Sequence, residues 1–482
     1  MTANVNLQSS KLWQYFEAIS AIPRPSKHEK AIIHYLVDFA SELKLDYKTD
    51  TAGNLLITKP ASVNMTNHKP VVLQSHVDMV CEKNADVVHN FFTDPILPYI
   101  DGDWVKARGT TLGADDGIGV AAMMAILADN TLEHGPIECL FTVDEETGLT
   151  GAFDLAPDFF SGKMLINLDS EDEGELFIGC AGGIDTIASF AYEPVLAWGN
   201  YNGYLVSLTG LTGGHSGDDI HKGFGNAIKI MSDFLWESLH RFNIEVHRFE
   251  GGNLRNAIPR EAFASILVPE TSDEEFRFFV DFYREKISTD YSTREPSFSF
   301  MADAISMPDT KLSAEFQEKF LEALNQCPNG VIAWSADIDD LVETSTNLAS
   351  IKFTNGNIII ETSQRSAIDQ AKRKLASEVE DVFAMAGAEV SHSDGYPGWT
   401  PNPESPLLKI TVETYSGLFE IAPKVKAIHA GLECGLFLEK YPGLDMISFG
   451  PTIKGVHSPD ERLYIPSVDK FWQLLIAVLK KL

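Results

Sequence analysis

The chain contains 482 residues, of which 44% are hydrophobic and 22% are charged, as in ordinary globular proteins. A single hydrophobic core rarely serves more than about 250–300 residues, so we expect at least two domains. Acidic residues (69) outnumber basic ones (38), and the formal net charge of −31 disfavours binding to nucleic acid or to an anionic membrane surface.

Cysteine usage and the lack of long apolar runs predict the compartment. The five cysteines are far apart and form no CxxC pair, so we expect free thiols in a reducing compartment. The first residues, MTANVNLQSSKLWQYF, lack the basic and apolar regions of a signal peptide. No apolar run approaches the roughly 20 residues that span a bilayer. We therefore predict a cytoplasmic protein.

The first third of the chain alternates helical and extended patterns. Its predicted elements are, in chain order, helices at 11–19 and 29–43, a strand at 71–74, a helix at 116–128, and strands at 137–143 and 163–168. Strands that alternate with helices predict an α/β architecture with a mostly parallel sheet.

From about Gly182 the pattern becomes one of mixed strands and helices, and the α/β pattern returns after residue 398. Between these points we predict strands at 204–208, 262–267, 349–353 and 357–361, the last two around an Asn355-Gly356 turn, and helices at 226–240, 274–286, 314–325 and 364–386. A helix at 404–415, a strand at 446–449 and a helix at 467–479 follow. We therefore predict a first domain made of residues 1–185 and 399–482, interrupted by an inserted α+β domain at 186–398.

Five clusters of acidic residues and histidine lie at or near the ends of predicted strands. They are SHVD at 75–78, GADDG at 113–117, VDEETG at 143–148, NLDS at 167–170 and GVHSP at 455–459. Each alone has a simpler explanation, as a surface pair, a turn or an exposed loop. Ligands of open α/β sheets collect at the carboxyl ends of the strands, so we expect the clusters to converge. Together they supply two imidazoles and several carboxylates, the donor set that divalent metals such as zinc prefer.

The stretches around these clusters resemble the co-catalytic zinc peptidases, which include carboxypeptidase G, tripeptidase T and the carnosinases. Within that superfamily the chain is most similar to the aminoacyl-histidine (Xaa-His) dipeptidases, and the resemblance covers nearly its whole length. It rests on LQSHVDMVCEK, GTTLGADDGIGVA, FTVDEETGLTGA, INLDSEDEGEL, GLTGGHSGDDIH and GPTIKGVHSPDERL. The resemblance implies a mostly parallel-sheet metallopeptidase catalytic domain of the α/β class, with the inserted α+β domain as a lid or dimerisation domain.

The resemblance also implies a set of metal ligands. Asp115 would bridge two divalent metal ions, zinc in our prediction, with manganese or cobalt as alternatives. His76 and Asp169 would complete one metal site, and Glu146 and His457 would complete the other.

Two further acidic residues belong to the catalytic set that the resemblance implies. Glu145 would be the general base that takes a proton from the attacking water. Asp78 would accept a hydrogen bond from the metal-binding imidazole two residues before it. If the turn that carries Glu145 and Glu146 is extended, the two side chains point in different directions, so one can bind metal while the other faces the water. The resemblance also predicts a cis peptide bond between Asp115 and Asp116.

The remaining site residues are predicted from later segments. His215, in GGHSG, would donate a hydrogen bond to the oxyanion, in its own subunit or in a neighbouring one; without the resemblance it would be a polar residue on a glycine-rich turn. Arg255 and Asn256 would bind the substrate carboxylate, although either could instead cap its own loop. His429 and Glu433, in HAGLECG, are expected beside the substrate.

The predicted activity is metal-dependent hydrolysis of dipeptides of the Xaa-His type, which includes carnosine, by a metal-activated water. The alternative within the hydrolases is a deacylase or deacetylase of N-acyl amino acids with the same two metals. A non-catalytic relative would lack some ligands or the base, all of which are present, and a structural protein would bind no stoichiometric metal. We expect a small peptide as the partner and neither nucleic acid nor membrane, and we leave open a homodimer through the inserted domain.

Overall fold

The computed structural model describes residues 10–336, 338, 340–354 and 356–482. The α-helices of this part of the chain are α1 (Lys11–Ser20), α2 (Lys30–Glu42), α3 (Ala114–Ala128), α4 (Glu145–Gly148), α5 (Thr150–Phe153), α6 (Ala227–Phe242), α7 (Asp273–Tyr291), α8 (Ala314–Gln326), α9 (Asp369–Met385), α10 (Pro406–Phe419), α11 (Glu433–Lys440) and α12 (Ile465–Leu479). The strands are β1 (Asp46–Thr49), β2 (Leu55–Lys59), β3 (Val71–His76), β4 (Tyr99–Asp101), β5 (Trp104–Lys106), β6 (Ile137–Thr142), β7 (Met164–Asn167), β8 (Glu175–Cys180), β9 (Gly182–Ala191), β10 (Val195–Leu196), β11 (Tyr201–Thr209), β12 (Glu245–Gly251), β13 (Ala262–Pro269), β14 (Ser299–Ile305), β15 (Thr310–Lys311), β16 (Gly330–Trp334), β17 (Val342–Thr354), β18 (Asn357–Ser366), β19 (Glu389–His392), β20 (Lys424–Ile428), β21 (Asp445–Ser448), β22 (Ile453–Lys454) and β23 (Arg462–Tyr464).

The chain divides into two compact units. The first unit runs to Gly179 and is completed by Pro401–Ala427 and Leu432–Leu482, whereas the second comprises Cys180–Thr400 and Ile428–Gly431. The segment Ile428–Gly431 belongs to the second unit because the N–H of Ala181 donates to the carbonyl groups of both Ile428 and Ala430, at 3.0 Å. The sequence predicts this short segment in the first domain, and the limits of the inserted domain, 186–398, stay a prediction.

An eight-stranded sheet in the order β1-β2-β6-β3-β7-β21-β8-β20 organises the first unit. Its four central strands, β6, β3, β7 and β21, are parallel, and β1, β2 and β8 extend it with antiparallel pairs. Every residue of β3 and β6 is buried, as expected for parallel strands that are covered on both faces. The predicted α/β class with a mostly parallel sheet is confirmed.

A nine-stranded sheet organises the second unit, in the order β14-β11-β13-β12-β17-β18-β9-β19, with β16 paired to β17. All its pairings are antiparallel, and helices such as α6 and α9 pack on it, so the α+β class of this region is confirmed. The hairpin β17–β18 forms where the sequence predicts it, although Asn355 of its turn lies outside the described residues.

One predicted helix begins too early. The prediction placed it at 364–386, but Gln364 still belongs to β18 and pairs with Ile184 of β9, so α9 begins at Asp369. The ladder hydrogen bonds to β9 outweigh the local helical preference of these residues. None of the described helices has the length and hydropathy to cross a bilayer. None of the five cysteines, all of which lie in the described part of the chain, forms a disulfide.

Candidate metal centre

The predicted donor residues of the first unit follow the carboxyl ends of its parallel strands. His76 is the last residue of β3 and lies opposite Thr142, the last residue of β6. Asn167 is the last residue of β7, and Asp169 follows it by two positions. Glu145 begins the short helix that comes after β6. The parallel register therefore brings these segments to one edge of the sheet, as expected for an open α/β sheet.

A first group of possible metal ligands consists of His76, Asp115 and Asp169. One ligand atom from each lies within 4.8 Å of the other two. The Nε2 atom of His76 is 3.1 Å from Oδ1 of Asp115 and 3.4 Å from Oδ1 of Asp169. His76 is only 1% exposed, so its ring cannot turn away from this group without disturbing the sheet.

A second group consists of Asp115, Glu146 and His457, again with ligand atoms within 4.8 Å of one another. The Nε2 atom of His457 is 3.3 Å from Oδ2 of Asp115 and 3.0 Å from Oε2 of Glu146. Asp115 thus directs one carboxylate oxygen towards each of two imidazoles. This is the arrangement that a carboxylate shared between two ions requires, and the assignment of the ligands stays a prediction.

The electrostatics of the two groups favour a bound cation. Burial raises the pKa of both Asp169 and Glu145 well above the usual range of carboxyl groups. Hydrogen bonds with Asp115 and Glu146 raise the pKa of His457 to about 11. The Oε1 atom of Glu146 is buried and has no hydrogen-bond partner within the described part of the chain. Because an uncompensated buried carboxylate is costly, the donor set fits a divalent metal ion.

Asp78 lies behind these groups and is fully buried. Its two oxygens accept the backbone N–H groups of Glu145 (3.1 Å) and Glu146 (3.2 Å), and Ser26 Oγ donates to it at 2.8 Å. The hydrogen bond predicted from the imidazole of His76 is not formed. Its Nδ1 lies 3.3 Å from Oδ1 of Asp78, but the contact does not have hydrogen-bond geometry. Asp78 therefore holds the two glutamates in place through their backbone.

The turn at the two glutamates is helical and not extended. Residues Glu145–Gly148 form the short helix α4, which Asp144 precedes with a positive φ of 51°. The carboxylate of Asp144 accepts hydrogen bonds from the hydroxyl groups of Thr147 and Thr150, which stabilises the helical turn. Neighbouring side chains on a helix project about 100° apart, so the two glutamates still point in different directions.

The peptide bond between Asp115 and Asp116 is cis, as predicted. Asp116 was not assigned a role from the sequence. Its carboxylate accepts hydrogen bonds from Ser75 Oγ and from the N–H of Gly119 (3.2 Å), and burial raises its pKa to about 8.

Two buried charged residues that the sequence analysis did not single out support the site. Arg24 donates from Nη1 to the carbonyl oxygens of Val77 (3.0 Å) and Asp78 (2.8 Å), and from Nη2 to that of Gly113. Nothing in its loop, IPRP, signals this role. Glu461 accepts hydrogen bonds from the backbone that leads to Asp115, the predicted bridging residue. It lies within the stretch GPTIKGVHSPDERL, so the resemblance contained this residue without indicating its partners.

Replacing Gly113 by alanine is expected to destabilise the metal-free protein strongly. Gly113 has φ +68°, and an added Cβ would lie 2.6 Å from Nη2 of Arg24 and 2.8 Å from Sδ of Met79. Three carbonyl groups hold Arg24, so it cannot easily move away. Gly102→Ala is the matched control, since Gly102 has φ +61° and no described heavy atom lies within 4 Å of its added Cβ.

We expect Gly102→Ala to cost about 1–2 kcal/mol, the backbone penalty alone. Gly113→Ala should cost about 1–3 kcal/mol more because of the steric conflict. Urea unfolding of the metal-free proteins, followed by circular dichroism, measures both, and equal losses would show that Arg24 does not constrain this turn.

His215 lies in the second unit, on the loop that follows β11. Its N–H donates to Oδ2 of Asp219 at 2.8 Å. Its Nδ1 accepts the N–H groups of Gly217 (3.3 Å) and Asp218 (3.1 Å). An imidazole nitrogen that accepts hydrogen bonds carries no proton, so a neutral His215 has its proton on Nε2. The loop thus prepares this ring to donate from Nε2.

Arg255 and Asn256 lie together on an exposed loop of the second unit. The guanidinium of Arg255 is 69% exposed and forms an ion pair with Asp185 at 2.8 Å. The carbonyl oxygen of Asn256 accepts the N–H of Ser216 at 2.8 Å, which ties this loop to the one that carries the predicted oxyanion donor. Their roles as substrate contacts stay predictions.

His429 belongs to the second unit and Glu433 to the first. His429 is buried and its Nε2 lies 2.7 Å from Ser345 Oγ. Burial, and then the nearby positive charge of Arg365, lowers the pKa of His429 to about 3, so the ring is neutral. Glu433 is 1% exposed and accepts a hydrogen bond from Gln74 at 2.6 Å, and burial raises its pKa to about 7. Arg365 is a buried cation that the sequence analysis did not single out.

Comparison with known proteins connects this geometry to a family. Residues 72–481 match peptidase family M20/M25/M40. The chain belongs to this family. It is 44% identical to the cytosol non-specific dipeptidase of Escherichia coli K12 over 476 residues, which cover 99% of this chain and 98% of that protein.

Two solved structures have a similar fold. The aminoacylhistidine dipeptidase of Vibrio alginolyticus superposes with a TM-score of 0.92 at 42% identity, covering 99% of this chain and 98% of that one. Human carnosine dipeptidase 1 superposes with a TM-score of 0.52 at 13% identity, covering 99% of this chain and 96% of that one, and this likeness concerns the fold alone. The resemblance stated from the sequence is confirmed.

Proposed function

We propose that this protein hydrolyses dipeptides in a metal-dependent reaction and prefers Xaa-His dipeptides. The observation that carries the proposal is the position of Asp115, whose two oxygens face two imidazoles, His76 and His457, at 3.1 and 3.3 Å. The name of the Escherichia coli relative supports a dipeptide substrate, and that of the Vibrio neighbour supports histidine as the second residue.

Each donor group has the composition of a site for a divalent ion. One contains His76 and Asp169, the other His457 and Glu146, and the carboxylate of Asp115 is common to both. Imidazole and carboxylate ligands suit zinc, and they also accept manganese or cobalt. When two such ions are bound, they polarise a peptide carbonyl and lower the pKa of a water molecule.

Glu145 is the proposed general base. It lies beside the donor groups, with a ligand atom within 4.8 Å of those of His76 and Glu146, and its backbone is held by Asp78. From this position its carboxylate can take the proton of the attacking water and return it to the amine that leaves. Asp78 is proposed as a positioning residue, because its carboxylate holds the backbone of Glu145 and Glu146 and lies 3.3 Å from Nδ1 of His76.

The second unit supplies the proposed groups for the oxyanion and the substrate. His215 can donate from Nε2 to the oxyanion, in its own subunit or in a neighbouring one. Arg255 and Asn256 are proposed for the substrate carboxylate, and His429 is proposed beside the substrate. A homodimer through the second unit and a cytoplasmic location are part of the same proposal.

Removal of metal tests the function directly. The purified protein should contain about two metal ions per chain, release histidine from β-Ala-His and Gly-His, lose this activity with a chelator and regain it when zinc or manganese is added back. N-acetyl-histidine is the matched substrate for the alternative activity, because it presents the same amide to the site without a free amine. Two ions with cleavage of N-acetyl-histidine alone would favour a deacetylase, whereas a protein without metal would contradict the mechanism.

A further inference from the structure

One buried carboxylate collects several consecutive backbone N–H groups at the start of α3. The Oε2 atom of Glu461 accepts those of Leu112 (2.7 Å) and Gly113 (3.0 Å). Its Oε1 atom accepts those of Ala114 (2.7 Å) and Asp115 (3.4 Å). Glu461 is 3% exposed, so these bonds are shielded from water.

The loop before α3 is shaped to receive an anion. Gly113 has a left-handed conformation with φ +68°, and such a residue lets successive N–H groups converge on one point. In many proteins a concavity of this kind binds a phosphate or another free anion. Here the chain itself fills it with the carboxylate of Glu461. Charge-assisted hydrogen bonds of this type are stronger than bonds between neutral groups, so the connection is firm.

Glu461 joins two segments that carry predicted metal ligands. It follows His457 by four residues in the segment between β22 and β23, and its hydrogen bonds end on the backbone of Asp115. On the other side of the same loop, Arg24 binds the carbonyl oxygen of Gly113 and that of Asp78, in the segment after β3. The backbone around Asp115 is therefore held by two residues. Glu461 holds it from the segment that carries His457, and Arg24 connects it to the segment that follows His76.

We propose that Glu461 is a positioning residue that sets the carboxylate of Asp115 against both His76 and His457, and thereby couples the two metal sites. The inference rests on the proposed metal-dependent function. Among the residues of the two donor groups, the carboxylate of Glu461 forms a hydrogen bond with Asp115, at its backbone N–H. Its effect on the metals is accordingly transmitted by the position of that residue.

The hydrogen-bond pattern makes glutamine a poor substitute for Glu461. Both carboxylate oxygens accept, each from two N–H groups, whereas a glutamine side chain offers one oxygen and one NH₂ group that only donates. In Glu461→Gln the NH₂ group would face two donors. The loop should therefore shift, although the size of the side chain is unchanged.

Glu138→Gln is the matched control. Glu138, near the start of β6, is a buried carboxylate of the same unit, 7% exposed, and it accepts the N–H groups of Ser161 (2.9 Å) and Gly162 (2.8 Å), which lie shortly before β7. It lies outside both donor groups. Both variants remove one accepting oxygen from a buried carboxylate that binds backbone N–H groups, four at Glu461 and two at Glu138.

The test compares zinc affinity and the visible absorption spectrum of the cobalt-substituted protein between the two variants. We expect Glu461→Gln to weaken binding of at least one zinc ion by about 10- to 100-fold, as for other groups that support ligands. Its cobalt spectrum should change as well. Glu138→Gln should keep the affinity and the spectrum of the unmodified protein, even if both variants melt at a lower temperature without metal.

A variant Glu461→Gln that lowers only the melting temperature of the metal-free protein, with normal zinc affinity and cobalt spectrum, would overturn the inference. If this variant does not fold, Glu461→Asp replaces it. The shorter side chain keeps the negative charge but should shift the loop that it binds. Normal zinc affinity in that variant overturns the inference equally. Failure of the unmodified protein to bind metal would instead contradict the proposed function.

Discussion

Glu145→Gln is expected to lower kcat for dipeptide hydrolysis by about 10²- to 10⁴-fold, the usual contribution of a general base. The amide keeps the size of the side chain and cannot take a proton. The hydrogen bond from the backbone N–H of residue 145 to Asp78 does not depend on the side chain, so α4 should stay in place. Metal content should therefore remain near that of the unmodified protein, as measured by elemental analysis beside the kinetics.

The neighbouring residue provides the control for this prediction. Glu146 directs Oε2 to His457 at 3.0 Å, and Glu146→Gln should reduce metal content as well as turnover. The pair of variants separates a base from a ligand on one short helix. An unchanged kcat in Glu145→Gln, or a loss of metal equal to that of Glu146→Gln, would show that the assignment of the base is wrong.

Asp115→Asn should reduce metal content more than Glu146→Gln does. Both donor groups use this carboxylate, one through each oxygen, and asparagine retains a single oxygen. At least one ion should be lost and the other bound more weakly. Because each bound ion contributes several kcal/mol to the stabilisation of the transition state, kcat/KM should fall by about 10³-fold or more.

Two further variants delimit this result. Asp169→Asn removes the negative charge of a ligand from one group alone, so the ion of the other group should remain at near-normal affinity. Asp154→Asn changes an exposed aspartate of the same unit and should alter neither metal content nor kcat/KM. Isothermal titration of the metal-free proteins with zinc distinguishes the three. Two ions bound by Asp115→Asn at normal affinity would contradict a shared carboxylate.

Short-range patterns were sufficient to predict the central sheet and the edge of it at which the candidate ligands gather. The apolar run that begins at Val71 and that which begins at Ile137 both form parallel strands, because strands buried on both faces need side chains of this kind. His76 lies at the end of the first of these strands and Asp169 follows another, so the rule on carboxyl ends of strands places them at one edge. Pattern and spacing are local properties, and the sequence shows them directly.

Local patterns failed where distant partners decide the conformation. Gln364 looks helical in the sequence, but pairing with Ile184, 180 positions earlier, makes it a strand residue. The ladder hydrogen bonds of the folded chain outweigh a weak local preference.

The sequence by itself determined the fold class, the family resemblance and the residue types of the candidate metal site, because these depend on hydrophobic periodicity and on motifs along the chain. Only the tertiary structure showed that the two oxygens of Asp115 face different imidazoles, and that Arg24 and Glu461 hold the loop before it. These two residues act on backbone groups 89 and 349 positions away, and every residue carries such groups. Their partners therefore leave no mark in the sequence, and folding alone selects them.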